Sequence, residues 1–153
     1  MKIKGYILLV FGLMTASHAF SFSSDTLKVQ ILGIGEDARF SPVVLQVQPG
    51  DVILFEVVEG LHTVTSYHPD NRRPLRIPTS AQSFDSGMLN KGDRWFLEIK
   101  EEGVYDYFCI PHERLGHAGR IISGTSTSAD YDDSLIPVEV AKTLKSGEVT
   151  EAE

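Results

Sequence analysis

Cysteine is almost absent from this chain: Cys109 is its only one. A single thiol cannot close an internal disulfide, so the fold must rest on its core rather than on covalent staples. Positive charge is also in short supply. Lys and Arg number 14 against 21 Asp and Glu, a formal net charge of −7. Phosphate backbones repel such a surface, which argues against a nucleic-acid partner. Long apolar runs are missing too. The longest, Ile7 to Met14, falls well short of the ~20 residues that span a bilayer.

That short run has a different use. Lys2 and Lys4 precede it, and small residues close it at Ser17-His18-Ala19. The pattern is that of a secretory signal, removed after Ala19. No cysteine follows at a lipidation position, so no lipid anchor is expected and the cleaved chain should not insert stably in a membrane. The expectation is residues 1–19 as signal, 20–124 as one domain and 125–153 as a tail, in a periplasmic or secreted protein. About 134 residues remain after cleavage, enough for one real core. Their formal charge is about −9, better suited to a basic partner surface.

The central region reads as strands. Leu27, Val29 and Ile31 alternate with Lys28 and Gln30, as on a half-buried strand. Pro42 to Val47, Asp51 to Val58, Arg94 to Lys100, Val104 to Cys109 and Arg120 to Ser123 follow, separated by turns such as Pro49-Gly50-Asp51 and Asn90-Lys91-Gly92-Asp93. Residues 66–81, polar and rich in Pro and Arg, read as a long loop. Roughly six to eight short strands with frequent turns predict an all-β antiparallel sandwich. The tail is Ser/Thr-rich, then acidic. Leu135 to Leu144 is a candidate helix capped by Ser134 or an Asp, and the last six residues are expected to be disordered.

One segment carries chemistry: Gly103-Val104-Tyr105-Asp106-Tyr107-Phe108-Cys109-Ile110-Pro111-His112, continued by Glu113-Arg114-Leu115-Gly116-His117-Ala118-Gly119. On an extended strand Tyr105, Tyr107 and Cys109 share a face. Pro111 ends the strand. The loop then returns His112 toward the sulfur, with His117 able to approach from another side. A thiolate with several imidazoles makes a soft metal site suited to copper or zinc. Zinc sites usually gather ligands in Cys-x-x-Cys or His-x-x-x-His pairs, and the chain has neither. Without that context Cys109 would read as a buried structural residue.

These residues resemble the cupredoxins, the blue copper proteins, and among them the plastocyanin, pseudoazurin and halocyanin-like group. Besides the ligand loop, the resemblance lies in Phe40-Ser41-Pro42, Leu45 to Asp51, Gly60-Leu61-His62-Thr63-Val64, Phe84-Asp85-Ser86-Gly87 and Gly92-Asp93-Arg94-Trp95-Phe96. It covers about residues 26–124. It implies a Greek-key β-sandwich and one copper ion with His62, Cys109 and His112 as trigonal ligands. Where the family carries an axial methionine, this chain has His117. It also has Thr63 where Asn usually ties the ligand loops together, and a threonine hydroxyl can still make that bond.

The resemblance implies a monomeric electron carrier, not an enzyme, that meets a redox partner protein. With imidazole for thioether, the expectation is a reduction potential below that of methionine-ligated relatives, a colour shifted from blue toward green or red, and ligation sensitive to pH. If His117 left the metal, an open position could react with a small molecule such as nitric oxide or a reactive oxygen species. Copper sequestration or delivery fits less well, because beyond the leader only Met88 remains as a thioether. His68 reads as a surface residue, and Met88 belongs to the middle hairpin rather than to the ligands. Arg72, Arg73 and Arg76 are either a solvated loop face or a docking patch near His62.

Overall fold

The computed structural model describes residues 27–126 and 129–151, so the leader expected over 1–19 lies outside them. Among the described residues, eleven strands form two main sheets and a small pair. The first sheet has the order β2-β1-β4-β8: β1 Leu27–Leu32, β2 Arg39–Ser41, β4 Val52–Val57 and β8 Arg94–Glu98. The second has the order β11-β3-β10-β9-β6: β3 Val44–Val47, β6 Thr65–Ser66, β9 Gly103–Phe108, β10 Ala118–Ser123 and β11 Val149–Glu151. Strands β5 Leu61–His62 and β7 Leu89–Asn90 pair at one end.

The predicted strands are present within a residue or two of their expected bounds. Their arrangement differs from a purely antiparallel sandwich. β1 pairs parallel with β4, and β3 pairs parallel with both β10 and β11. These are strands far apart in sequence, and local hairpin signals say nothing of such long-range pairings.

Inward residues of the two sheets make the main core. Val29, Ile31, Ile53, Phe55 and Val57 come from one side, Leu45, Val47, Tyr105, Tyr107 and Ile121 from the other. Tyr107 lies edge-on to Phe40 at 4.8 Å and to Phe55 at 5.5 Å between ring centroids. Cys109 joins this core at the end of β9.

Strand β9 is buried on both faces, because the C-terminal segment covers its outer side. Helix α1, Val138–Ser146, places Val140, Ala141 and Leu144 against Tyr67, Phe108 and Ala118. It begins later than the expected Leu135 because Pro137, lacking an N–H and constraining its predecessor, sits at its N-cap. Val149–Glu151, within the end expected to be disordered, adds β11 to the edge of the second sheet, and residues 152 and 153 lie outside the described residues. No helix among the described residues is long and apolar enough to cross a membrane.

An ionic knot lies under this cover. Asp106, wholly buried in β9, accepts Arg76 Nε at 2.8 Å and Arg120 Nε at 2.7 Å. Arg76, only 2% exposed, also donates to Asp133 Oδ1 at 2.9 Å and to the Asp132 carbonyl at 3.1 Å. Arg76 therefore takes no part in the docking patch considered for it; its charge is spent inside the molecule. Removing Asp106 would leave a buried cation without its main partner, which typically costs about 3–5 kcal/mol. Asp106→Ala should lose that much in urea unfolding at pH 7. A loss below about 1 kcal/mol would contradict this account.

Candidate metal centre

Two β-structured segments and one loop bring the predicted residues together. His62 ends β5, Cys109 follows β9, and His112 lies in the 3-10 turn Ile110–Leu115. His117 stands just before β10. One ligand atom from each of the four lies within 4.8 Å of all the others. Cys109 Sγ is 3.6 Å from His62 Nδ1 and 3.4 Å from His112 Nδ1. His62, Cys109 and His117 are buried, while His112 is partly open to solvent.

The ligand loop is closed by its own backbone. Cys109 N–H donates to the His117 carbonyl at 3.0 Å, and His112 N–H to the Cys109 carbonyl at 3.0 Å. Pro111, which has no N–H to place, fits the first turn of the 3-10 segment. Gly116 in the left-handed region, at φ 87°, redirects the chain into His117.

His62 is oriented from behind. Its Nε2 donates to the Glu59 carbonyl at 2.8 Å and lies 3.1 Å from that of Gly33. That leaves its Nδ1 lone pair facing the sulfur. Gly60 is needed for this approach. Its φ is +87°, and a side chain there would come within 2.6 Å of His62 Nε2. The carbonyls of Gly33 and Glu59 were not foreseeable as partners, since backbone groups carry no mark in the sequence.

Thr63 ties the two ligand segments together as expected. Its Oγ1 accepts from Ile110 N–H at 2.9 Å, and its N–H points at Cys109 Sγ at 3.4 Å. Thr63 and Thr65 share a 2.9 Å hydroxyl contact, and Thr65 donates to Asp85 at 2.9 Å. His68 stays outside the cluster. Its Nδ1 accepts from Asp70 N–H at 3.1 Å and caps a short turn. Met88 is 53% exposed, as befits its place before β7.

The electrostatics suit a cation. Burial pushes the Cys109 thiol up, with the Thr63 N–H pulling the other way. Burial, and then the neighbouring His62, push His112 down. Burial drives His117 down to about 2, aided by His62 and His112. Without a metal the pocket therefore holds a neutral thiol beside neutral His112 and His117 rings. Neither ring nitrogen of His117 has a hydrogen-bond partner among the described residues. Two orphaned polar atoms in a buried site are costly, and a metal ion would satisfy one of them. A soft thiolate with three imidazoles matches copper in donor chemistry.

The near-neutral titration expected of His117 is thus displaced. Packing against Phe40, 4.1 Å between centroids, keeps water from its charged form. The consequence falls on stability. Below about pH 6.5 the unfolded chain gains a proton on His117 that the folded chain refuses, so stability falls as pH falls. Between pH 7 and 5 this amounts to about 2 kcal/mol for the metal-free protein. His117→Leu should remove that share of the acid sensitivity in paired urea titrations. Equal losses in both proteins would refute it.

Comparison with known proteins points to copper. A family model for copper binding proteins, plastocyanin/azurin family, matches residues 27–123. A chloroplastic plastocyanin of Fritillaria agrestis is 30% identical over 115 residues, 72% of this chain and 68% of that one. A putative pseudoazurin of Rhizobium leguminosarum bv. viciae is 28% identical over 141 residues, 88% of this chain and 84% of that one. Among solved structures, a purple cupredoxin from Nitrosopumilus maritimus aligns with a TM-score of 0.51 at 24% identity, over 64% of this chain and 99% of its own. Amicyanin from Paracoccus versutus gives 0.52 at 20% identity, over 66% and 83%. The last two likenesses speak to the fold alone.

Proposed function

This chain belongs to the plastocyanin/azurin family of copper-binding proteins, and from that premise we propose that it carries single electrons on one copper ion held by His62, Cys109, His112 and His117. The observation that carries the reading is the convergence of four donor atoms within 4.8 Å, with the His117 ring given no other partner among the described residues. Bound there, copper supplies a one-electron couple between Cu(I) and Cu(II), tuned by its axial donor.

The chain's residues supply the rest. The tie from Thr63 to Ile110 and the self-closed ligand loop hold the donors, so little needs to move when the electron does. Cys109 and His117 are walled off from water. His112 is the donor that reaches solvent, and it offers the shortest way in and out. A secretory leader over residues 1–19 would place this carrier in the periplasm or outside the cell.

The surface around His112 favours an apolar docking face. Ile110 and Leu115 flank it in the ligand loop, Leu61 adjoins His62, and Ile34 borders the turn that packs on that loop; all four are exposed. The arginines are less available. Arg76 is buried, Arg73 is paired with Glu113, and Arg72 alone of the three is exposed. An apolar face around a half-open ligand suits brief contact with a redox protein. Leu61→Glu should slow electron self-exchange at least tenfold, by about 1.4 kcal/mol or more in barrier, with the copper spectrum unchanged. Unchanged exchange would move docking elsewhere.

An open position reacting with a small molecule is the weaker reading, since it requires His117 to leave the metal with no other partner among the described residues. The deciding experiment is the optical and EPR spectrum of the Cu(II) protein beside His117→Met. An intense thiolate-to-copper band is expected in both, bluer in the mutant and with a higher reduction potential. The same band and potential in both would take His117 off the metal. No thiolate band in either would end the type 1 reading.

A further inference from the structure

Glu113 directly follows His112, yet only 6% of it is exposed. A carboxylate so buried must be paired. Tyr67 donates its hydroxyl to Oε1 at 3.0 Å. Arg73 Nε lies 2.9 Å from Oε1 and 3.1 Å from Oε2, and its Nη2 donates to Oε2 at 2.6 Å. This is the forked, charge-assisted geometry that arginine offers and lysine does not.

The same group reaches the other side of the ligand loop. The Arg73 guanidinium lies over the Phe108 ring at 5.0 Å, and Tyr67 packs on that ring at 4.6 Å. Phe108 immediately precedes Cys109. The three side chains thus grip the backbone before one donor and after the next. Farther along, α1 presses on the end of the turn: a side chain at Gly116 would meet Thr143 Oγ1 at 3.0 Å and the Glu139 carbonyl at 3.1 Å.

We propose that Glu113 and Arg73 are a positioning pair, an assignment that rests on the copper reading above. They hold the 109–116 turn so that Cys109 and His112 keep their spacing with or without metal. Their opposite charges also cancel beside the ion. Breaking the pair from either side should loosen the turn in the same way. The charge left behind has opposite sign in the two cases. A lone carboxylate favours Cu(II), and a lone guanidinium favours Cu(I).

The test compares the copper-loaded full chain with Glu113→Gln, Arg73→Met and Arg73→Lys, by voltammetry and by the rate of copper loss to a chelator. Glu113→Gln should raise the reduction potential and Arg73→Met should lower it, while both release copper at least tenfold faster. Arg73→Lys keeps the charge but not the fork, so it should hold the wild-type potential and still release copper faster. A purely structural role would lower the melting temperature and leave potential and release unmoved, which overturns the proposal. Shifts of the same sign in Glu113→Gln and Arg73→Met would also overturn it. If Arg73→Met does not fold, the contrast between Glu113→Gln and Arg73→Lys decides alone. A wild-type protein without the thiolate-to-copper band sinks the copper reading and this pair with it; a normal band with unmoved variants sinks the pair only.

Discussion

A buried thiol ringed by imidazoles has no internal reason to stay together. Its groups share no strong hydrogen bond, and among the described residues His117 has no partner for either ring nitrogen. Something else must hold the backbone that carries them. Here that constraint is met by bonds behind His62 and along the backbone of the ligand segments. The Gly33 and Glu59 carbonyls orient His62, Thr63 joins the first ligand segment to Ile110, and the Cys109 to His117 backbone pair closes the loop. Such outer contacts commonly set how firmly a metal site is preorganised. Much of the rest of the structure serves to brace those bonds.

The C-terminal segment is part of that bracing. It covers the outer face of β9, whose inner face leads to Cys109. Phe108 and Ala118, neighbours of two donors, are packed under Val140, Ala141 and Leu144. Asp106 in the same strand is held by Arg76 and Arg120, and Arg76 reaches on to Asp133 in the tail. The outer face of β9 is thereby buried, and the ligand loop gains a fixed wall.

Much of this was legible in the sequence. Period-two alternation marked β1, and the Tyr105-Asp106-Tyr107-Phe108-Cys109 run with its Pro and His marked the centre, because strand geometry and loop chemistry are local. The mixed sheet order was not, since parallel pairing joins distant segments. The arginines misled for a physical reason. Charged side chains default to the surface, and a loop rich in them reads as exposed. The corrective signal was Asp106, a carboxylate between two core tyrosines, which demands a buried cation. Glu113 was hidden likewise, as its partners Tyr67 and Arg73 lie some forty residues away. The covering role of the tail was not legible because its apolar face, carrying Val140, Ala141 and Leu144, is short.

The central claim is that one sulfur and three imidazoles form a single copper site. X-ray absorption at the copper edge of the Cu(I) and Cu(II) protein tests it most directly. The account predicts a first shell of one sulfur and three imidazole nitrogens in both states, nearly unchanged between them. A shell without sulfur, or with only two imidazoles, would contradict it.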